Sequence, residues 1–341
     1  MKTNLTIILF LKERKYFNKR FIDYFLEHNL GFNLLISDGS KKIDKNLLNR
    51  SKKNNLIKYV KFPEDKSYEI FYKKIFKTLK LVKTKYVFFA SNDDFIIYPT
   101  LKKCVNLLIK QKKIIGCGGT MIGFEMLKKN GFDFKLTNFY NLYNYQKLDH
   151  ENKIDRFDTY LKNFSDHVKN CVIEKKIFLK TYKYSSNLFQ NNADLKDDFS
   201  CLYTLASGPI KILKKPLILH QAHLNSDANR RSDSFKSNFV NNNFINDLII
   251  FDKILSFKLK LKRKIVMNKY YSYVLKKQLN LLDLQRELSL KQIKSLIFKK
   301  FQRRIFNKKF KKINYINFNK FDIVTKKAVY KIEKYLINNI K

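Results

Sequence analysis

Two adjacent carboxylates follow an apolar segment, and they are the residues best suited to chemistry. The segment Tyr86–Ala90 is typical of a buried strand, and Ser91, Asn92, Asp93 and Asp94 come directly after it. Carboxylates at such a place need a compensating charge. Mn²⁺ or Mg²⁺ supplies it by binding one or two carboxylates together with substrate phosphate oxygens, and the metal can then neutralise a diphosphate leaving group. The alternative is a solvated loop in which one aspartate caps the next helix.

A third carboxylate has a matching position on an earlier strand. Phe32–Ser37 is apolar and is stopped by Asp38, Gly39 and Ser40. In open sheets of parallel strands, ligands bind at the carboxyl ends of the strands. We therefore predict that Asp38 and the pair Asp93 and Asp94 lie at one edge of a sheet.

The segments that must position these residues alternate between strand and helix. Predicted strands cover Leu5–Leu11, Phe32–Ser37, Leu56–Phe62 and Tyr86–Ala90, and predicted helices cover Phe17–His28, Tyr68–Val82 and Pro99–Lys110. This alternation predicts an α/β fold with a mostly parallel central sheet. Downstream we predict a strand at Ile114–Thr120, a helix at Phe199–Ala206, two short β runs around Pro216 within Ile210–Leu219, and mostly helix after Phe244; residues 125–170 show only weak periodicity.

Histidine and arginine side chains add further candidates. His220 follows a short β run, and its neutral imidazole could complete a metal site or touch a diphosphate; the alternative is a hydrogen-bonded histidine at a strand end. His223 is a weaker candidate of the same kind. Arg230 and Arg231 lie in a polar stretch at 222–243 and could clamp diphosphate oxygens, or form a solvated surface pair.

These motifs resemble a known family. Leu5–Leu11, then Leu34–Ser40, then Val87–Ile96 look like the N-terminal half of a family 2 glycosyltransferase with the GT-A fold. The resemblance implies that Asp38, with Ser40, binds the nucleotide, and that Asp94, with Asp93 beside it, holds the metal and diphosphate. Asn92 stands where the family usually has the first aspartate, although an amide oxygen can also ligate a metal.

The resemblance continues to residue 220. Asp194–Phe199, Gly208 and Pro216–His220 are similar to the family's acidic pair, helix, glycine and strand ending in histidine. The resemblance implies that one carboxylate of the acidic pair is the general base, and Asp198 and Asp197 are its nearest equivalents. A base must reach the acceptor hydroxyl, and a helix N-terminus keeps a carboxylate ionised. The alternative role is a helix cap.

The resemblance implies transfer of a sugar, with inversion, from a nucleoside-diphosphate sugar to an acceptor hydroxyl. The acceptor would be a glycan or a lipid-linked sugar. We predict a GT-A-like glycosyltransferase domain over residues 1–225, with a nucleotide-sugar-binding half at 1–125 and an acceptor half at 126–225. Residues 226–341 would form a polar loop and a basic, mostly helical C-terminal region.

Basic residues greatly outnumber acidic ones in this chain, above all near its C-terminal end. The chain has 71 Lys and Arg against 29 Asp and Glu, a formal +42, and residues 253–341 alone have 26 against 4, a net +22. A predicted amphipathic helix in this region has an apolar face and basic residues around it (Leu296, Ile297, Phe301 and Ile305, with Lys299, Lys300, Arg303, Arg304 and Lys308). Such a helix can lie on an anionic membrane surface or pack on the catalytic domain. Codon bias of an AT-rich genome would also produce the excess of lysine.

The same composition bears on compartment. The four cysteines form no CxxC pair and are expected to be reduced thiols. No apolar run reaches about 18 residues, so no spanning helix is expected. We therefore expect a cytoplasmic protein that can be peripheral on the inner face of the cell membrane.

Two rival functions remain open from the sequence. A nucleic-acid-binding protein would use the basic surface, but acidic clusters at strand ends would repel phosphates unless a metal intervenes, and no helix-turn-helix, zinc-finger or RNP-like aromatic motif is present. Nucleic acid is therefore not the expected partner. A glycosyltransferase-like fold without activity is the second rival, because Asn92 replaces an aspartate.

Overall fold

The computed structural model of the protein describes residues 4–129, 133–143, 145–163, 167–189, 192–221, 242–274 and 316–339. The strands are β1 Leu5–Leu11, β2 Asn33–Asp38, β3 Ile57–Lys61, β4 Tyr86–Ala90, β5 Asp94–Ile96, β6 Gly116–Lys129, β7 Asp133–Tyr143, β8 Val172–Glu174 and β9 Ile210–Gln221. The helices are α1 Lys15–His28, α2 Lys45–Lys52, α3 Tyr68–Leu81, α4 Tyr98–Lys110, α5 Lys153–Asn163, α6 Lys175–Asn187, α7 Ala193–Ser207, α8 Asn242–Leu259 and α9 Ile323–Asn339. Residues 265–274 are also helical.

One mixed sheet organises the described chain. Its strands follow the order β3-β2-β1-β4-β8-β6-β9-β5, and β7 pairs with β6. β1 is parallel to both β2 and β4, and β2 is parallel to β3. The expected α/β fold with a mostly parallel central sheet is confirmed, since β3, β2, β1 and β4 are mutually parallel neighbours. Asp38 ends β2 and Asp93 and Asp94 follow β4, so these segments lie at the same edge of the sheet, as expected.

Both faces of the sheet are covered because side chains alternate along each buried strand. In β1, Ile7 and Leu9 face a core built with α1, α4 and α9, whereas Ile8 faces a second core built with α3, α5, α6, α7 and α8. The continuous apolar run of β1 thus serves two cores at once. This burial on both faces is why β1 could be predicted from its continuous apolar run.

Several elements differ from the predictions. The strand predicted at Ile114–Thr120 continues to Lys129 and forms a hairpin with β7 inside the region of weak periodicity. Shifts of register in this hairpin interrupt the alternation of side chains, which hides a strand from pattern analysis. The two β runs around Pro216 are one strand, β9, with a shift of register beside Pro216. The helix predicted at Phe199–Ala206 begins at Ala193, where Asn192 caps it.

The C-terminal helix α9 packs against the N-terminal part of the chain. Its buried residues Val329, Ile332 and Leu336 belong to the core that α1 and α4 line. Tyr335 donates a hydrogen bond to the backbone oxygen of Arg20 in α1 at 3.0 Å. The end of the described chain therefore supports the elements beside the acidic cluster.

Two further expectations concern thiols and membranes. All four cysteines are free and buried. No helix among the residues that the structure describes is long and apolar enough to cross a membrane. His223, Arg230 and Arg231 lie outside the described residues, as does the amphipathic segment predicted around Leu296–Lys308.

Candidate active site

Three side chains that could hold a cation meet at the carboxyl edge of the sheet. Asp94 begins β5, which pairs antiparallel with β9 and places Asp94 opposite His220. Candidate ligand atoms of Asp93, Asp94 and His220 lie within 4.8 Å of one another. Asp93 and Asp94 are buried and His220 is partly exposed, so an approach from solvent remains. Two carboxylates and an imidazole are a donor set that suits a divalent ion such as Mn²⁺.

Electrostatics at this group favour an added positive charge. Burial raises the pKa of Asp94, and the hydrogen bond from His220 only partly offsets that rise. Burial lowers the pKa of His220, but the hydrogen bond and charge of Asp94, together with Asp93, outweigh it and raise the pKa overall. Nδ1 of His220 lies 2.6 Å from Oδ1 of Asp94. Burial therefore disfavours the negative charge of Asp94, the positive charges of His220 and Arg20 offset this in part, and a bound cation would act in the same direction.

Arg14 is a site residue that the motif analysis missed. Its Nη1 lies 3.1 Å from Oδ2 of Asp93, and the side chain remains partly exposed. Glu13 and Arg14 both have positive φ angles, 53° and 58°, between β1 and α1. Non-glycine residues in the left-handed region are uncommon and often mark functional turns. A basic residue directly after the first strand, at the edge where the acidic clusters lie, was the signal available in the sequence.

The amide of Asn92 contacts helix α1. Its side chain is buried and donates to Oδ1 of Asn18 in α1 at 2.7 Å. Asn18 in turn donates to the backbone oxygen of Glu13 at 2.7 Å. The Asn92 side chain thus ties the exit of β4 to α1 and to the Glu13–Arg14 turn.

Asp38 and Ser40 form a second polar group at the same edge. Asp38 accepts hydrogen bonds from the backbone N–H of Ser40 at 2.8 Å and from the hydroxyl of Tyr59. Ser40 Oγ accepts from the backbone N–H of Glu13 at 2.8 Å. This bond joins the Asp38 group to the turn that carries Arg14. The residues predicted to bind a nucleotide and those predicted to bind a metal therefore border one continuous edge.

A buried ion pair supports the loop that carries Asp38 and Ser40. Lys74 in α3 pairs with Asp65, and its Nζ also donates to the backbone oxygen of Leu11 at 3.2 Å. The backbone N–H of Asp65 donates to the oxygen of Gly39 at 2.9 Å. A Cβ at Gly39 would overlap the Asp65 carboxylate, so the loop needs glycine for this close approach.

The acidic pair of α7 divides into two different environments. Asp198 is buried and accepts hydrogen bonds from Tyr160 at 3.0 Å and Tyr270 at 2.7 Å, which joins α7 to α5 and to the 265–274 helix. Asp197 has a side chain 16% exposed and pairs with Lys169 at 2.8 Å and with the hydroxyl of Tyr72. Its environment is therefore the more accessible of the two.

The position of Lys169 relates Asp197 to the rest of the site. Lys169 lies in the 3₁₀ turn His167–Asn170 that precedes β8. Because β8 runs antiparallel to β4, with Tyr86 opposite Glu174, this turn lies toward the carboxyl end of β4. Asp197 is thus directed to the same edge as Asp93 and Asp94. Arg230, the remaining predicted binding residue, lies outside the described residues.

Comparisons with known proteins agree on the fold. No family model matches the chain, and no curated protein sequence matches it. The solved structure of S. aureus TarS is similar with a TM-score of 0.50 and 14% identity, over 74% of this chain and 49% of TarS. TarS 1–349 in complex with UDP-GlcNAc is similar with a TM-score of 0.51 and 12% identity, over 75% of this chain and 72% of that one.

At such low identity the likeness is one of fold. The chain spans about half the length of the longer TarS chain. The similarity to these glycosyltransferase-like structures therefore confirms the GT-A-like architecture.

Proposed function

We propose that this protein is a glycosyltransferase that moves a sugar from a nucleoside-diphosphate sugar to an acceptor hydroxyl. The observation that carries the proposal is the group Asp93, Asp94 and His220 at the carboxyl edge of a GT-A-like sheet. The fold likeness to a structure that contains UDP-GlcNAc supports this class of donor. The sequence resemblance to family 2 supports inversion by a single displacement and an acceptor hydroxyl on a glycan or lipid-linked sugar.

Asp93, Asp94 and His220 are the proposed ligands of a divalent cation. The cation would neutralise the diphosphate of the donor and of the departing nucleoside diphosphate. The imidazole favours Mn²⁺ over Mg²⁺, because transition metals accept nitrogen ligands more readily. Arg14 is the proposed partner of a diphosphate oxygen, since its guanidinium already lies at the acidic edge and can form charge-assisted hydrogen bonds with phosphate.

Asp38 and Ser40 are the proposed nucleotide-binding residues. They lie one loop away from Arg14 and are fixed to it through the Ser40–Glu13 hydrogen bond. This arrangement would hold the nucleoside over the ends of β1 and β2 and direct the diphosphate toward β4. Binding energy from the nucleoside can then orient the sugar for reaction.

Asp197 is the proposed general base, in preference to Asp198. An acceptor hydroxyl attacks the anomeric carbon and transfers its proton to the carboxylate, while the bond from that carbon to the diphosphate breaks and its electron pair leaves with the nucleoside diphosphate. The base must reach the acceptor hydroxyl directly or through one water. The Asp197 side chain is 16% exposed, whereas the Asp198 side chain is buried and accepts hydrogen bonds from two tyrosine hydroxyls.

The proposal is tested by thermal unfolding with a panel of nucleoside diphosphates, each with and without Mn²⁺. A ligand present at 100 times its dissociation constant should stabilise the protein by about 2.7 kcal/mol. We expect at least one diphosphate to stabilise the wild type only with Mn²⁺, and Asp94→Asn to remove this effect. Asp158→Asn is the matched control, because it removes the same charge from the Asp158–Lys269 ion pair, remote in sequence from the site.

Turnover is the second measurement. Wild type should hydrolyse or transfer the sugar of the corresponding nucleotide-sugar slowly in Mn²⁺, and Asp94→Asn should lose both binding and turnover. Stabilisation by no diphosphate in the panel would contradict the proposal, as would Mn²⁺-dependent binding that survives in Asp94→Asn.

A further inference from the structure

The outward face of α8 combines exposed apolar residues with positive charge. At about 100° per residue, Ile245, Ile249, Ile250, Lys253 and Phe257 fall within an arc of roughly 140°. Phe257 is 88% exposed, Ile245 59% and Ile249 53%. We call this set the α8 face. Exposed apolar side chains that share one helix face indicate a binding surface, unlike isolated ones.

The opposite side of α8 fixes this orientation. Leu248, Phe251, Leu255 and Leu259 are buried in the core that includes α7. Phe251 contacts the rings of Phe199 at 5.9 Å and Tyr270 at 4.5 Å. The helix cannot rotate to bury Phe257 without removing these residues from the core, so the α8 face remains at the surface of the described structure.

A basic turn extends the α8 face at its C-terminal end. Lys260, Lys262, Arg263 and Lys264 follow Leu259, and all four are exposed. Asp252 holds the turn in place, because its carboxylate accepts the backbone N–H groups of Lys264 and Met267 at 3.0 Å each. The turn also begins next to the α8 face, because the backbone N–H of Lys260 donates to the backbone oxygen of Phe257 at 3.3 Å.

The α8 face and the turn Lys260–Lys264 contain basic residues and no acidic ones. No acidic residue lies within the arc of the α8 face, because Asp247 and Asp252 lie outside it. Burial and the neighbouring positive charges of Lys260 and Arg156 lower the pKa of Lys153. Burial and the charges of Lys180 and Lys153 likewise lower the pKa of Lys258. Several lysine and arginine charges thus lie near one another at this end of α8, and an anionic partner is complementary to them.

The combination selects one kind of partner. Nucleic acid would use the charge, but three of the four apolar residues of the α8 face are isoleucines, which provide no ring for a base to stack on. A bilayer accepts aliphatic and aromatic side chains at its interface while lysines contact the headgroups. We propose that the α8 face and the adjoining turn Lys260–Lys264 dock the protein on an anionic lipid bilayer.

This surface differs from the amphipathic segment predicted around Leu296–Lys308, and the inference does not depend on the proposed reaction. The docking contact would be peripheral. Part of the binding strength should come from the apolar side chains Phe257 and Ile249. The rest should come from the basic residues, and each lysine or arginine near an anionic surface changes binding about fivefold.

The test is co-sedimentation of the full chain with vesicles of equal parts phosphatidylcholine and phosphatidylglycerol, with pure phosphatidylcholine vesicles as reference. The variants are Ile249→Ser with Phe257→Ser, and Lys260→Gln, Lys262→Gln and Arg263→Gln together. A matched control lies at the end of α4, where Ile109 is 48% exposed and followed by exposed lysines. There Ile109→Ser, and separately Lys110→Gln, Lys112→Gln and Lys113→Gln together, remove the same kinds of group.

We expect wild type to bind the anionic vesicles and not the neutral ones. The triple charge variant of the turn should bind roughly 100-fold more weakly, and the apolar double variant at least roughly 10-fold more weakly. The α4 variants should bind nearly as well as wild type. Salt at about 1 M, where the Debye length is about 3 Å, should release most of the protein. All changed side chains are exposed, and unaltered thermal unfolding would verify that the variants are folded.

Four results would overturn the inference. Wild type could fail to bind anionic vesicles, or the α4 and α8 variants could lose binding equally, which would make the effect one of total charge. Sedimentation velocity without vesicles could show that wild type is a dimer and that Phe257→Ser is a monomer, while both bind lipid equally. The α8 face would then be a contact between copies of the chain. Binding that survives in the α8 variants but is lost on replacing Lys299, Lys300, Arg303 and Arg304 by Gln would assign docking to the other segment.

Discussion

Nδ1 of His220 lies 2.6 Å from Oδ1 of Asp94, although the two residues are 126 positions apart in the chain. The antiparallel register of β5 and β9 brings them together, since it pairs Asp94 with His220 and Phe95 with Leu219. The pairing of β9 with β5 thus places the imidazole of His220 beside the carboxylates that follow β4.

His220→Gln should change which metal supports nucleotide binding. Glutamine keeps a polar group at the strand end but removes the nitrogen ligand that transition metals prefer. We expect Mn²⁺-supported binding of a nucleoside diphosphate to weaken by about 10-fold or more, on the scale of changes around metal sites, while Mg²⁺-supported binding changes less. Calorimetry with each metal measures the ratio. An unchanged ratio would mean that His220 only orients Asp94.

Arg14→Ala should separate metal binding from nucleotide binding. Arg14 pairs with Asp93, so its loss removes a competing positive charge and should leave affinity for Mn²⁺ alone unchanged or stronger. Nucleoside diphosphate affinity should fall by roughly 10- to 100-fold, the effect of losing a hydrogen bond to a charged group. Arg14→Lys should restore part of it. A parallel loss of metal and nucleotide affinity would show that Arg14 only maintains the fold of the turn.

The two aspartates of α7 should give different lesions. Asp197→Asn should lower turnover by roughly 10²–10⁴-fold while nucleotide and metal binding stay near wild type, because its proposed partner is the acceptor hydroxyl. Asp198→Asn should lower the free energy of unfolding by about 2 kcal/mol, since its carboxylate accepts hydrogen bonds from Tyr160 and Tyr270. The folded fraction of Asp198→Asn should retain turnover.

Urea unfolding and steady-state rates on the same preparations separate these effects. The reverse pattern, with lost turnover in a stable Asp198→Asn, would return the base to the residue that the family resemblance favoured. Wild-type rates in both variants would leave the acidic pair without a catalytic role.

Lys196→Met should alter how stability depends on pH. Burial lowers the pKa of Lys196 from 10.5 to about 8, and its ammonium donates to the backbone oxygens of Ser185 and Leu188. Between these two pKa values the unfolded chain binds a proton that the folded chain does not, so this residue makes stability rise with pH in that window.

Wild type should therefore gain about 2 kcal/mol over Lys196→Met between pH 7 and about pH 9.5. Urea unfolding at both pH values measures this difference, and the comparison cancels other titrating groups. Lys183→Met, at an exposed position of α6, controls for the loss of a surface charge. The stability that wild type gains with pH relative to Lys196→Met could be no larger than its gain relative to Lys183→Met. That result would mean that Lys196 stays protonated in the folded protein throughout this range.

The sequence by itself determined the central strands and the clusters at their ends. β1 and β4 have the predicted limits, Leu5–Leu11 and Tyr86–Ala90. A strand buried on both faces is a continuous apolar run, and the polar residues that end it mark the edge of the sheet, so this information is local. Parallel pairing then requires that Asp38 and Asp94 share an edge.

Only the tertiary structure decided which side chains meet across long separations. Nothing near His220 in the sequence specifies Asp94 as its neighbour, and nothing near Arg14 specifies Asp93. The two aspartates of α7 look equivalent in sequence, but adjacent residues on a helix point about 100° apart. One therefore reaches Tyr160 and Tyr270 inside the helical layer, and the other reaches Lys169 and Tyr72. Packing of distant elements, which a local pattern does not encode, made that choice.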